Sequence, residues 1–354
     1  MTHSLIATAV VLLAMAAALV PTPARLVESI YSSRVFPALQ GLLTALSNPI
    51  PFALFDVLIV AAVVGVVAIA IRGTRVGRAE GWLLAGRRAA SQTAVLAALA
   101  YLLFLAAWGL NYRRVPLQDK LRFDAARVSS ERAAGLASEA VERVNALHAA
   151  AHRQGWGDPR QIDAVLAEAF DRARRGLALG SVRPARPKRT LLDPYFRRAG
   201  VAGMTDPYFL ETLIASDLLP FERSAVIAHE WSHLAGVADE GAASFVGWLA
   251  CLRGNAAHQY SGWLSLYGDV ANVLPPSSAR EVDARLAAGP RADLQAVRDR
   301  LLRNVNPTMS AAGWHVYDRY LRANRVEEGA ASYAGVVRLI LGTEFGPDWT
   351  PVRR

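Results

Sequence analysis

Residues 225–245 read AVIAHEWSHLAGVADEGAASF. The apolar lead-in Ala225-Val226-Ile227-Ala228 predicts a buried helix. His229 and His233 sit four residues apart on it, so both imidazoles share one face and can reach one ion. Glu230, beside the first histidine, is placed to take a proton from a water at that ion, and zinc lowers the pKa of such a water toward about 7. Gly236 suits the left-handed position that ends a helix and turns the chain back. Asp239 then suits the N-cap of a second helix and Glu240 its first turn. Small residues, Gly241-Ala242-Ala243-Ser244, follow where the two helices must cross closely. A catalytic zinc needs a third protein ligand and one open position. Glu240 is the favoured third ligand. Asp239 is the alternative, because His-x-x-Gly-x-x-Asp is a spacing that some compact zinc proteases use. The plainer reading is two helix-surface histidines, a solvated glutamate and an aspartate cap.

Upstream the chain changes character. Residues 4–20 (SLIATAVVLLAMAAALV), 52–71 (FALFDVLIVAAVVGVVAIAI) and 93–110 (TAVLAALAYLLFLAAWGL) carry Asp56 as their only charge. Each is about long enough to cross the ~30 Å hydrocarbon layer of a bilayer. They predict three transmembrane helices and a membrane anchor over residues 1–111. The first run lacks a basic leader, which favours an anchor over a cleaved signal peptide. The loop at 72–92 holds Arg72, Arg75, Arg78, Arg87 and Arg88 against one acid, Glu80, and positive loops stay in the cytoplasm. That places residues 112–354 on the extracytoplasmic side, although Arg113 and Arg114 count against this orientation. Asp56 lies near the outer boundary, where snorkelling is the simplest account. Residues 26–47 show helix-like apolar spacing, as an interfacial helix or a packed loop would.

Composition agrees with a chain partly dissolved in lipid. Hydrophobic residues are 53% of the 354 and charged residues 19%, which excludes a disordered chain and argues against an ordinary cytosolic enzyme. The single cysteine, Cys251, excludes an intramolecular disulfide and a cysteine-based zinc knuckle. The net charge of +9 raises the question of nucleic acid. However, aromatic residues are not interleaved with the basic ones, and apart from Lys120 and Lys188 the positive charge is all arginine, so no nucleic-acid partner is expected.

From 112 onward the pattern predicts a mainly helical domain with a small β-sheet. Helices are expected over 129–153 (capped by Ser129 or Ser130, ending near Gly155), from Asp158-Pro159 to Gly176, from Pro220 to Gly236, and over 240–253, 256–272, 278–303, 313–323 and 329–342. Residues 177–207 read as loop with short strands. Residues 208–215 (YFLETLIA) read as an edge strand able to accept a peptide as an added strand, with Glu211 an ordinary exposed acid. Cys251 reads as a small core residue and His258 as structural or exposed.

The chain resembles the membrane-anchored, zincin-like family known as domain of unknown function 3810. The likeness is carried by Trp108-Gly109-Leu110-Asn111-Tyr112-Arg113-Arg114-x-Pro116, by His229 to Phe245, by Tyr260-Ser261-Gly262, by Tyr317-Asp318-x-Tyr320-Leu321, and by Ser332-Tyr333. The resemblance implies a bacterial, multi-pass cell-membrane zinc metallopeptidase. It implies His229, His233 and Glu240 as Zn2+ ligands, Glu230 as the base, and the lipid bilayer and a peptide or protein substrate as partners. The family's catalytic activity is itself an inference from the motif. The sequence departs from the family pattern at Ala242 and Ser244, where Glu and Asn are usual; Ser244 then takes the place of a group that orients a histidine. An oxyanion formed during hydrolysis needs a further donor, for which Tyr333, Tyr317 and His315 are the candidates. The rival expectation is a non-catalytic membrane protein whose outer domain binds a partner and whose zinc site is structural or vacant.

Overall fold

The computed structural model describes residues 2–324 and 335–354 and places most of them in helices. Helix α1 (Thr2–Leu19) leads to a bent continuation made of α2 (Ala24–Leu26), a π-wound stretch Val27–Val35 and α3 (Phe36–Ser47). Helices α4 (Leu54–Glu80) and α5 (Trp82–Ala107) then form an antiparallel pair turning at Gly81, whose φ of +102° only glycine adopts readily. Both α4 and α5 are long and apolar enough to cross a membrane. The α1 run and the Ala24–Ser47 run, bent by 106°, make a third candidate if taken as one span. Two to three spans therefore stand where three were expected.

The stretch 72–92 is not a loop. Both helices run through it, leaving one residue to turn, and Arg88 pairs with Glu80 at 3.0 Å. The apolar run ends near residue 71, whereas helical hydrogen bonding carries on to Glu80. The apolar window of α4 is unburied in protein, as a lipid-facing surface requires. Asp56 does not snorkel: its carboxylate accepts from the Thr190 hydroxyl at 2.5 Å and the Leu191 amide at 3.0 Å, tying the start of α4 to the segment that follows Lys188.

The Ala24–Ser47 run is helical, as its spacing predicts, with an inverted pattern. Its polar residues Ser32, Gln40, Thr44 and Ser47 are buried against protein, while Leu26, Ile30, Val35, Leu42 and Leu46 face outward. Gln40 donates to the Arg183 carbonyl at 2.8 Å and Thr44 to the Leu210 carbonyl at 3.0 Å. These bonds to loop backbone explain why the polar face is the one turned inward.

The helical domain follows as α6 (Ser130–Gln154), α7 (Ala164–Gly176), α8 (Asp193–Ala199), α9 (Arg223–Leu234), α10 (Glu240–Leu252), α11 (Ala256–Val273), α12 (Pro276–Ala284), α13 (Ala288–Asn304), α14 (Pro307–Ala323) and α15 (Gly335–Gly342). Ser129 caps α6 and Gly155 ends it, as expected. Helix α7 begins later than Asp158 because Asp163 is the residue that caps it, accepting from the Leu166 amide at 2.9 Å. The predicted 278–303 helix is two helices. Asn145 of α6 binds both the Arg285 carbonyl and the Ala287 amide at the break. Helix α8 was not expected within 177–207, and α14 starts six residues before 313. Cys251 is buried in the core, and His258 is buried with its ring 3.0 Å from Asp163 Oδ2.

Strands β1 (Pro187–Lys188), β2 (Gly203–Thr205) and β3 (Thr212–Ile214) form a mixed sheet in the order β1-β3-β2. Residues 208–215 thus contribute the central strand, not an edge, and cannot accept an added strand. Glu211 is not exposed either. It is fully buried, 2.6 Å from the buried Lys188 ammonium, and also accepts from the Phe55 amide at 3.1 Å. Lys188 donates in addition to the carbonyls of Ser47 and Phe52 at 2.8 and 3.2 Å. This pair joins the sheet to the segment entering α4. Breaking a buried pair leaves an uncompensated charge, so Lys188→Met is expected to cost about 3–5 kcal/mol in denaturant unfolding of the solubilised protein. Lys188→Met/Glu211→Met should recover part of that loss; a single variant as stable as wild type would refute the pairing.

Candidate metal centre

Helix α9 buries Ile227, Ala228, Trp231 and Leu234, the apolar set around the histidines. The Trp231 indole is wholly buried, edge-on to Phe170 at 5.8 Å. Helix α10 lies so close across α9 that a Cβ on Gly247 would fall 2.8 Å from the His229 amide nitrogen. The sequence points to Gly241–Ser244 for the close crossing; the close approach seen here is at Gly247, one turn farther along α10.

Gly236 takes φ +76° and ends α9. The Gly236 amide bonds the His233 carbonyl and the Val237 amide bonds the Ser232 carbonyl, which turns the chain back. The turn brings the Val237 carbonyl to 2.8 Å from His233 Nδ1. A carbonyl only accepts, so Nδ1 carries the proton and Nε2 is left to bind an ion. Ser244 Oγ lies 3.1 Å from His229 Nδ1 and holds the second ring in place, with a hydroxyl able to donate or accept there. The serine expected to stand in for the family's usual asparagine is in that position.

Asp239 caps α10, accepting from the Ala242 amide at 2.7 Å. Glu240, one residue on, points to the histidines. Its Oε2 lies 3.1 Å from His229 Nε2 and 3.4 Å from His233 Nε2, and the two Nε2 atoms are 3.1 Å apart. Tetrahedral zinc with bonds near 2.0–2.1 Å separates its ligands by about 3.3 Å. Two imidazoles and a carboxylate, all converging at that spacing, fit a zinc ion. They form a His229/His233/Glu240 group able to hold a metal, and Asp239 is not part of it.

The electrostatics suit a cation. Burial opposes charge on His233, yet the Glu240 carboxylate raises it to about 9. Burial also opposes charge on Glu240, and His233 and His229 hold it well below the ordinary carboxylate range. A bound cation would replace the imidazolium proton. Glu230 is buried, and burial raises its pKa against the pull of the two histidines. The Thr205 hydroxyl on strand β2 lies 2.8 Å from Glu230 Oε2, and a Cβ on Gly203 would fall 2.7 Å from Oε1. Neither Thr205 nor Gly203 was singled out in the sequence; only the sheet brings them there.

Of the three oxyanion candidates, Tyr317 reaches the site: its hydroxyl donates to Glu240 Oε1. His315 is exposed on α14, and Tyr333 lies outside the described residues. The other residues that sequence reasoning missed come from the end of α5. Trp108 Nε1 donates to the His233 carbonyl at 3.1 Å, and Arg114 donates to the Gly236 carbonyl at 2.8 Å while pairing with Glu28 at 2.8 Å. Arg113 donates to the Ala17 carbonyl and the Thr22 hydroxyl at the end of α1. The Trp108–Arg114 block thus ties the histidine helix to Glu28 and to the end of α1.

A family model described as "Protein of unknown function (DUF3810)" matches residues 31–341. That is most of the chain, and the chain belongs to this family. No curated protein and no solved structure matches it.

Proposed function

We propose that this DUF3810 protein is an integral membrane zinc metallopeptidase. Residues 1–111 are its anchor and residues 112–354 its zincin-like catalytic domain. The observation that carries this reading is the convergence of His229 Nε2, His233 Nε2 and Glu240 Oε2 within 3.1–3.4 Å of one another, with the carboxylate of Glu230 buried on the same helix. A zinc ion held there would polarise a peptide carbonyl and acidify a water molecule. With the metal held, Glu230 would be placed to accept a proton from a water and to pass it to the leaving amine. The Thr205 hydroxyl steadies the carboxylate for both transfers. Tyr317, whose hydroxyl donates to Glu240 Oε1 in this structure, would turn that proton to the developing oxyanion. Strand β2 pairs with β3 on one side, and no further strand lies beyond it among the described residues. We assign this edge, next to Glu230, as the place where an extended peptide adds.

The domain faces the extracytoplasmic side. Leu54 and Ala107, at one end of the α4–α5 pair, join the domain. Arg72, Arg75, Arg78, Arg87 and Arg88 cluster toward the Gly81 turn at the other end. Helices of 27 and 26 residues separate the two ends by about 40 Å, and the arginine end stays in the cytoplasm. Arg113 and Arg114 are engaged in protein contacts and do not oppose this. The outward apolar side of Ala24–Ser47 then rests on the membrane surface.

The test is hydrolysis of an unstructured protein by the purified full-length chain in detergent. Activity should disappear on metal chelation and return with Zn2+. A chain holding zinc through these three residues yet cleaving no member of a broad peptide library would instead support a structural site in a partner-binding domain.

A further inference from the structure

We propose a second zinc-class site, formed by His148 and His152 of α6 and Asp293 of α13. It stands on different residues from the centre above and does not depend on that reading. The two histidines are four apart on one helix face, and their ring centroids are 4.2 Å apart. Asp293 is buried, and its Oδ2 lies 2.8 Å from His152 Nε2 and 3.5 Å from His148 Nε2. The same oxygen accepts from the Tyr260 hydroxyl of α11 at 2.6 Å.

Hydrogen bonding alone explains this arrangement poorly. One carboxylate oxygen would serve Tyr260 and two imidazoles, and 3.5 Å exceeds an ordinary N–H···O bond. The two separations, 2.8 and 3.5 Å, bracket the roughly 3.3 Å between ligands of a tetrahedral ion with bonds near 2.0–2.1 Å. Two imidazoles and a carboxylate are a donor set that zinc accepts. Tyr260 then acts as the outer partner that orients the liganding carboxylate.

Two further features fit a built site. A Cβ on Gly289 of α13 would fall 2.4–2.7 Å from three atoms of the His148 ring, so a glycine makes the room this ring occupies. The His148 and His152 side chains are 25% and 37% exposed, which leaves an ion a path in and a position for water.

The location gives the ion a task. Residues 152 and 293 are far apart in the chain, so a bound ion cross-links α6 to α13. Farther along α13, Arg300 pairs with Glu222 at 2.7 Å and Asp217 at 3.3 Å, and Asn304 donates to Asp217 at 2.6 Å. Glu222 accepts from the Leu219 amide in the turn that opens α9, and the His152 ring stands 6.2 Å from Phe221 in that turn. The second ion therefore braces the start of the helix that carries His229 and His233.

Zinc is the probe, measured by elemental analysis of the full-length solubilised protein after equilibration with Zn2+. Wild type is expected to hold two equivalents. His148→Gln/His152→Gln and His229→Gln/His233→Gln should each hold one, and the quadruple variant none. To separate ligand loss from misfolding, Zn2+ is also titrated during thermal unfolding. The His229→Gln/His233→Gln protein should gain in Tm with Zn2+, and adding Asp293→Asn, which keeps the shape and the Tyr260 bond, should remove the gain. A quadruple variant holding as much zinc as His229→Gln/His233→Gln, or a Tm gain that survives Asp293→Asn, overturns the second site. Wild-type zinc content in His229→Gln/His233→Gln would instead overturn the first centre and leave this one standing.

Discussion

Glu230→Gln is expected to lower peptide hydrolysis by roughly 10²–10⁴-fold, the usual contribution of a general base, while zinc content stays at its wild-type value. The substitution removes little except basicity. Glutamine has the same shape and can still accept from the Thr205 hydroxyl, which lies 2.8 Å from Glu230 Oε2. It does not alter His229, His233 or Glu240, whose donor atoms form the metal group. Turnover on a peptide substrate, with zinc measured on the same preparation, separates the roles. Loss of zinc together with activity would make Glu230 part of the metal's support and not a base. Unchanged turnover would remove it from the mechanism.

How far the sequence could be read depended on how local the physics was. The end of α9 at Gly236 and the start of α10 at Asp239 were legible because the left-handed turn and the side-chain cap are properties of a few adjacent residues. Glu240 followed, since a capped helix fixes where its first-turn side chain points. The place of Ser244 beside His229 came from the family resemblance, and it lies one turn beyond Glu240 on the same helix.

What failed was long-range. Residues 208–215 read correctly as β-prone, but strand order depends on β1 and β2, so an edge was expected where the centre lies. Glu211 looked exposed because its partner Lys188 and the Phe55 amide come from elsewhere in the chain. Arg113 and Arg114 were counted as loop charges, whereas one binds the end of α1 and the other holds Glu28 and the Gly236 carbonyl. Charge counting cannot see a pairing that only the fold creates. The same limit hid Thr205 and the His148/His152/Asp293 group, whose members meet across separate elements.

Glu240→Ala should abolish tight zinc binding at the first centre, and Asp239→Ala should retain it. The two residues are adjacent, and the sequence alone left either as third ligand. They have different work in the fold. The Asp239 carboxylate accepts from the Ala242 amide at 2.7 Å, so its loss removes a cap worth about 1 kcal/mol and leaves the donor set whole. Glu240 Oε2 faces both histidines, and its other oxygen accepts from Tyr317. Alanine there takes away the negative member of the group found among the described residues and leaves two neutral imidazoles. The readout is zinc per chain on His148→Gln/His152→Gln backgrounds, so that the second site does not mask the loss. Zinc retained in Glu240→Ala but lost in Asp239→Ala would reverse the assignment, and would require α10 to unwind its first turn so that Asp239 could leave the Ala242 amide.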